Sequence, residues 1–172
     1  MAMSIRRIIF ITLGIVLLTA IVISKSFIFE SLVIHGPSME PTIMPGDRVL
    51  VNRIAYRSRR PDRGDIIVFR IGVERFVKRV IGLPGDVIDV RDGIIYRGSE
   101  IVASEPRIAS HAHKTRPYVL TFCKVRERQV FVVGDNTDLS MDSRYFGAIP
   151  YKDIIGKVFL VYFPPGRIGK LQ

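Results

Sequence analysis

The sequence predicts a mostly β domain, its antiparallel sheets coiled or closed into a distorted β-barrel, behind one N-terminal transmembrane helix. Three observations predict it. Residues 8–24 carry no charge, short stretches rich in Val and Ile recur beyond residue 30, and Gly, Pro and Asp punctuate those stretches. After the first thirty residues no long amphipathic helix is legible.

The uncharged run IIFITLGIVLLTAIVIS spans ~25 Å as a helix, and ~33 Å if it continues to residue 29. Arg6 and Arg7 precede it, whereas Lys25 alone follows and can snorkel to the far interface. The positive-inside rule then leaves residues 1–7 in the cytoplasm, lays 8–29 across the bilayer and exports 30–172. A bacterial cytoplasmic membrane with the folded domain on its outer side is the expected setting. A cleavable secretory leader would look similar, but this run is long and no Ala-x-Ala follows it. A helix apolar on every side is also hard to bury in so small a domain.

Strands are expected at 49–54, 66–71, 75–81, 87–90, 94–96, 130–133 and 154–163. Turns fall at Pro45-Gly46-Asp47, Arg63-Gly64-Asp65, Pro84-Gly85-Asp86 and Asp92-Gly93. Residues 98–124 break this rhythm and read as an excursion from the core, a small hairpin carrying His111 and His113.

Composition narrows the partners. The chain has 172 residues and a formal charge of +10, which favours polyanions, nucleic acid and anionic lipid alike. The apolar run favours membrane lipid, and no helix-turn-helix, zinc-finger or RNA-recognition pattern supports nucleic acid. The single cysteine, Cys123, excludes an intrachain disulfide and any site built from several thiolates.

Four segments carry candidate chemistry: Gly36-Pro37-Ser38-Met39-Glu40-Pro41-Thr42, Arg63-Gly64-Asp65-Ile66-Ile67-Val68-Phe69, Lys78-Arg79-Val80-Ile81-Gly82-Leu83-Pro84-Gly85-Asp86, and Gly134-Asp135-Asn136 continuing to Asp142-Ser143-Arg144. A serine hydroxyl attacks only when a base within hydrogen-bond reach takes its proton. Lysine serves when neutral, and lowering its pKa from ~10.4 to ~7 takes about 4 kcal/mol of preference for the free amine. In a strand over 75–81, alternation sets Lys78 between Phe76 and Val80, with Arg79 on the other face. Taken singly, Ser38 reads as a turn serine, and Lys78 reads equally as an ordinary surface lysine or a buried base. Their joint pattern overturns both.

In order and content the four segments resemble the boxes of bacterial type I signal peptidases, the leader peptidases. The resemblance covers most of residues 30–163 and implies a Ser38 nucleophile with Lys78 as its general base, acting through an acyl-enzyme without metal or cofactor. It further implies that the Ser140 hydroxyl holds the lysine amine, that Asp142 and Arg144 buttress the site as an ion pair, and that Arg79 reaches Asp135. Ser140 reads equally as a loop serine, and Asp135-Asn136 as a plain turn. Gly36 stands where some members carry a serine whose hydroxyl binds the oxyanion, so backbone N–H groups must serve here. His35 could complete a Ser-His-Asp arrangement with Asp135 on paper, although no familiar spacing supports it. The His111-x-His113 pair lacks a third metal ligand.

By the same resemblance the substrates are exported preproteins still carrying signal peptides, bound as an extended strand with small residues first and third before the scissile bond. The apolar link from residue 25 to Ser38 suits such a membrane-borne substrate. A monomer is expected. Related peptidases share the dyad, among them conjugative pilin-processing, mitochondrial inner-membrane and SOS-repressor types. Gly134-Asp135-Asn136 favours the bacterial branch over the mitochondrial one. A basic nucleic-acid-binding protein and a non-catalytic membrane scaffold are the readings from other classes.

Overall fold

The computed structural model describes residues 5–91, 94–104 and 122–171, apart from the side chains of 7–9, 18, 20–27, 103 and 104. Helix α1 (Ile5–Ile28) passes without a break into strand β1 (Phe29–Val33). Leu13, Val16 and Leu17, among the described side chains of this apolar helix, keep more than 60% of their surface uncovered. The expected span thus emerges as a helix. Among the described residues, however, no helix is long and apolar enough to cross a membrane.

From β1 the chain enters two antiparallel sheets. Strands β2 (Arg48–Asn52), β3 (Ile66–Ile71) and β4 (Glu74–Gly82) belong to the first. Strands β5 (Val87–Arg91), β6 (Ile94–Arg97), β7 (Glu100–Ser104) and β8 (Phe122–Lys124) form the second, and β9 (Gln129–Val133) returns to the first. A short helix α2 (Ser143–Phe146) separates β9 from β10 (Ile149–Pro150), β11 (Ile154–Phe163) and β12 (Gly169–Lys170). The large sheet runs β1-β2-β11-β3-β4-β9-β10, with β12 on β11, and the small one runs β7-β6-β5-β8.

Two expectations need correcting. The described strands close no barrel, because β1 and β10 end the large sheet without pairing to each other. Curvature enters instead through register shifts in β11 and β4, where the ladder with a neighbouring strand skips a residue. Nor is 98–124 simply a hairpin leaving the core. Its described ends, β7 and β8, join β5 and β6 in the small sheet, which starts at Val87. The expected hairpin's remaining residues, with His111 and His113, lie outside the described residues.

The continuous apolar run in β3 has a physical reason, since the strand is buried on both faces. Ile66 and Val68 enter a core with Met39, Ile43, Val49 and Val158, while Ile67 and Phe69 enter a second with Val80, Val130 and Val132. Strand β9 repeats the device, sending Phe131 and Val133 into a third core with Ile88, Val90 and Ile95. Phe131 therefore joins the two sheets. Phe131→Ala is expected to cost about 3–5 kcal/mol in chemical denaturation, and a loss below about 1 kcal/mol would show that the sheets do not share this core.

Candidate active site

Ser38 sits in a single 3₁₀ turn, Pro37–Met39, directly after β1. The turn is held at three points. Pro37 fixes its first φ, the Met39 side chain is buried in the first core, and the Ser38 carbonyl accepts the Asn136 N–H at 3.1 Å. Lys78 occupies the middle of β4, opposite Ile67 in the register with β3. Flanked along the strand by Phe76 and Val80, it is only 3% exposed. Its Nζ lies 2.6 Å from Ser38 Oγ. Burial is the main cause that lowers its pKa to about 8; Asp142 and Asp135 pull it back up and Arg144 pushes it further down.

The loop after β9 walls the site on another side. The Asp142 carboxylate caps α2 by accepting the Arg144 N–H and also accepts the Gly134 N–H, at 3.2 and 3.1 Å. Arg144 returns a fork, with Nε at 2.9 Å from Oδ1 and Nη2 at 3.0 Å from Oδ2. This pair is completely buried. Arg144 Nη2 also donates to the Thr137 carbonyl at 2.6 Å, drawing the loop inward. Arg79 grips Asp135 through Nε and Nη2 at 2.8 and 2.7 Å, and its Nη1 donates to the Gly64 carbonyl.

The structure thus brings Ser38 to Lys78, Asp142 to Arg144 and Arg79 to Asp135. It does not bring the Ser140 hydroxyl to the amine: Ser140 Oγ is buried and makes no hydrogen bond among the described residues. It packs instead against Gly134, where a Cβ would fall 2.3 Å from that oxygen and 2.4 Å from the Ser38 carbonyl oxygen. Gly36 has open space around it and an ordinary extended backbone. His35 is exposed, and Asp135 is already held by Arg79, so no Ser-His-Asp arrangement forms. Two contributors were not legible beforehand. Ser143 Oγ accepts the Val132 N–H at 3.0 Å, and Asn136 supports the serine turn through its backbone; a serine opening a helix is the faint sequence signal for the first.

A cleft of about 600 Å³ ends at Ser38 and Lys78. Residues 31–34, leading out of β1, form one wall and 75–78 of β4 the other. Among the described residues neither stretch has a strand partner on both sides, since β1 ends its sheet and β4 pairs with β9 only from Arg79 onward.

A family model described as signal peptidase, peptidase S26, matches residues 5–163. The chain belongs to this family. It is 34% identical over 170 residues to a probable signal peptidase I-2 of Synechocystis sp. (strain ATCC 27184 / PCC 6803 / Kazusa), covering 92% of this chain and 76% of that protein. It is 37% identical over 158 residues to signal peptidase I of Bacillus amyloliquefaciens, covering 88% and 85%. A crystal structure of a signal peptidase I from Enterococcus faecalis V583 aligns at 29% identity and a TM-score of 0.41, covering 58% of this chain and 97% of that one. So low a score leaves the fold to stand on the strand pairing above. Family membership makes the chain a signal peptidase enzyme.

The closeness at Gly134 is testable. Gly134→Ala must displace either the Ser140 side chain or the Ser38 backbone. The expected result is a stability loss of about 1–3 kcal/mol, with activity reduced more than stability explains. Unchanged denaturation and turnover would show that neither oxygen approaches so closely.

Proposed function

We propose that Ser38 attacks the scissile carbonyl of an exported preprotein while neutral Lys78 takes its hydroxyl proton. The observation that carries this reading is the 2.6 Å contact between Oγ and a lysine amine whose burial lowers its pKa to about 8. As the tetrahedral intermediate collapses, the protonated amine passes the proton to the leaving nitrogen and an acyl-enzyme remains on Ser38. The same lysine, neutral again, then activates water to release the signal peptide. The Ser38 N–H stands at the start of a turn, where such groups lack an internal acceptor, and is the available oxyanion donor in place of a side chain at Gly36.

The free edges of β1 and β4 suit an extended peptide laid between them by backbone hydrogen bonding, with apolar Leu32, Ile34 and Val77 beside it. Ser140 acts by filling the space behind the serine turn. In this reading α1 anchors the enzyme in the cytoplasmic membrane with its N-terminus inside and the sheets outside. Support comes from the uncharged run at 8–24 and the uncovered Leu13, Val16 and Leu17.

The test is cleavage of a model secretory precursor by the full chain in lipid, beside Ser38→Ala and Lys78→Ala. Each variant is expected to lose about 10³-fold or more in kcat, and activity surviving Lys78→Ala would remove lysine as the base. Because the amine must be neutral, kcat/KM should climb about tenfold per pH unit below pH 8 and level off above it. Stability carries the same sign. A lysine whose pKa is depressed in the fold binds fewer protons than in the unfolded chain between about 8 and its ordinary value of 10.5, so stability should rise with pH across that window. Denaturation midpoints of the parent and Lys78→Met across that range would show whether the rise belongs to this residue.

A further inference from the structure

Beside the cleft, on the far side of Arg75, lies a second hollow of about 410 Å³. Five cationic side chains line it (Arg53, Arg57, Arg70, Arg75 and Lys152), against one acid, Asp153. Glu30 faces Arg53 at 3.6 Å and Arg75 at 2.5 Å and offsets part of that charge. Arg57, Arg70 and Lys152 have no carboxylate partner among the described residues. The β3–β4 register places Arg70 directly opposite Arg75. Like charges facing across a ladder destabilise it, and among the described residues Glu30 reaches only Arg75 of this pair and does not relieve Arg70. An anion held between them would.

The position of the hollow says which anion. The Arg53 N–H donates to the carbonyl of Ile28, the last residue of α1, at 2.8 Å, so one rim of the hollow is bonded to the end of that helix. If α1 is the membrane anchor, the hollow lies at the headgroup layer. Guanidinium forks match phosphate oxygens in pairs, and basic hollows at helix ends bind lipid headgroups by this chemistry. We infer that the cavity formed by Arg53, Arg57, Arg70, Arg75 and Lys152 binds the phosphate of an anionic phospholipid at the bilayer surface. The inference rests on the anchored reading of α1. Because Arg75 lines both hollows, a bound headgroup fixes the cleft wall on which the substrate is laid.

The test takes the full chain in detergent micelles containing phosphatidylglycerol and phosphatidylcholine, and counts retained lipid by native mass spectrometry. It compares the parent, Arg57→Gln/Arg70→Gln/Lys152→Gln, and Lys124→Gln/Arg126→Gln/Lys170→Gln, which removes equal charge elsewhere. All six side chains are exposed, and matching thermal unfolding of the three proteins verifies their folds. The parent and the second variant should retain phosphatidylglycerol over phosphatidylcholine, with the first variant losing at least about tenfold of that preference. Equal retention by the first variant overturns the site. Displacement by inorganic phosphate as effectively as by phosphatidylglycerol makes it a free-phosphate site and overturns the lipid assignment. A raised KM for precursor in the first variant, in vesicles of phosphatidylcholine alone, shows that the hollow reads an acidic stretch of substrate instead. Failure of the parent to float with those vesicles sinks the anchor and not the cavity, which the micelle measurement reads independently.

Discussion

A lysine amine kept nearly dry against a serine hydroxyl is the constraint around which the rest of the molecule is arranged. Moving the pKa of Lys78 from 10.5 to about 8 corresponds to about 3 kcal/mol of preference for the neutral form, opposed to the stability of the protonated fold. Side-chain alternation in β4 supplies the burial, because the face that carries Lys78 also carries Phe76 and Val80 against the second core. Yet the same site contains two carboxylates, Asp142 and Asp135, both of which pull that pKa back up. Each is answered by an arginine. Arg144 pushes the Lys78 pKa down again, while Arg79 holds Asp135 in a forked pair.

Those two pairs also have mechanical work. Asp142 joins the Gly134 N–H, the Arg144 N–H and the Arg144 guanidinium in one buried node, and Arg144 extends it to the Thr137 carbonyl. Removing one partner of such a node leaves a charge unpaired, at a cost of about 3–5 kcal/mol. The loop fixed in this way presents Asn136 to the Ser38 carbonyl, so the Ser38 turn is braced by residues about a hundred positions away. Glycine at 134 lets the two segments approach closely enough for that bond.

Local pattern made much of this legible. Val- and Ile-rich stretches marked β2, β3, β4 and β11, and Gly-Asp punctuation marked the turns between them. Alternation about Lys78 identified its buried face. What failed to be legible depended on distant pairing. Whether β1 meets β10 depends on pairing across the whole large sheet, which no local pattern records, and assigning β7 and β8 to the small sheet required knowing that they flank β5 and β6. Ser140 was tied to the amine by resemblance, whereas its hydroxyl position depends on how tightly residue 134 packs. The basic hollow is equally non-local, gathering cations from two strands and two connections.

Chain connectivity links anchoring to catalysis more tightly than the cleft alone suggests. Strand β1 begins where α1 ends, forms a wall of the cleft and leads into the turn that bears Ser38. Its Glu30 reaches across to Arg75 on the opposite wall and to Arg53, whose backbone holds the helix end. A tilt of α1 would therefore be felt first by the strand that walls the cleft. In an anchored enzyme the bilayer fixes that tilt, and with it the separation of the two free edges. The membrane then contributes to the geometry of the cleft as well as to the local concentration of substrate.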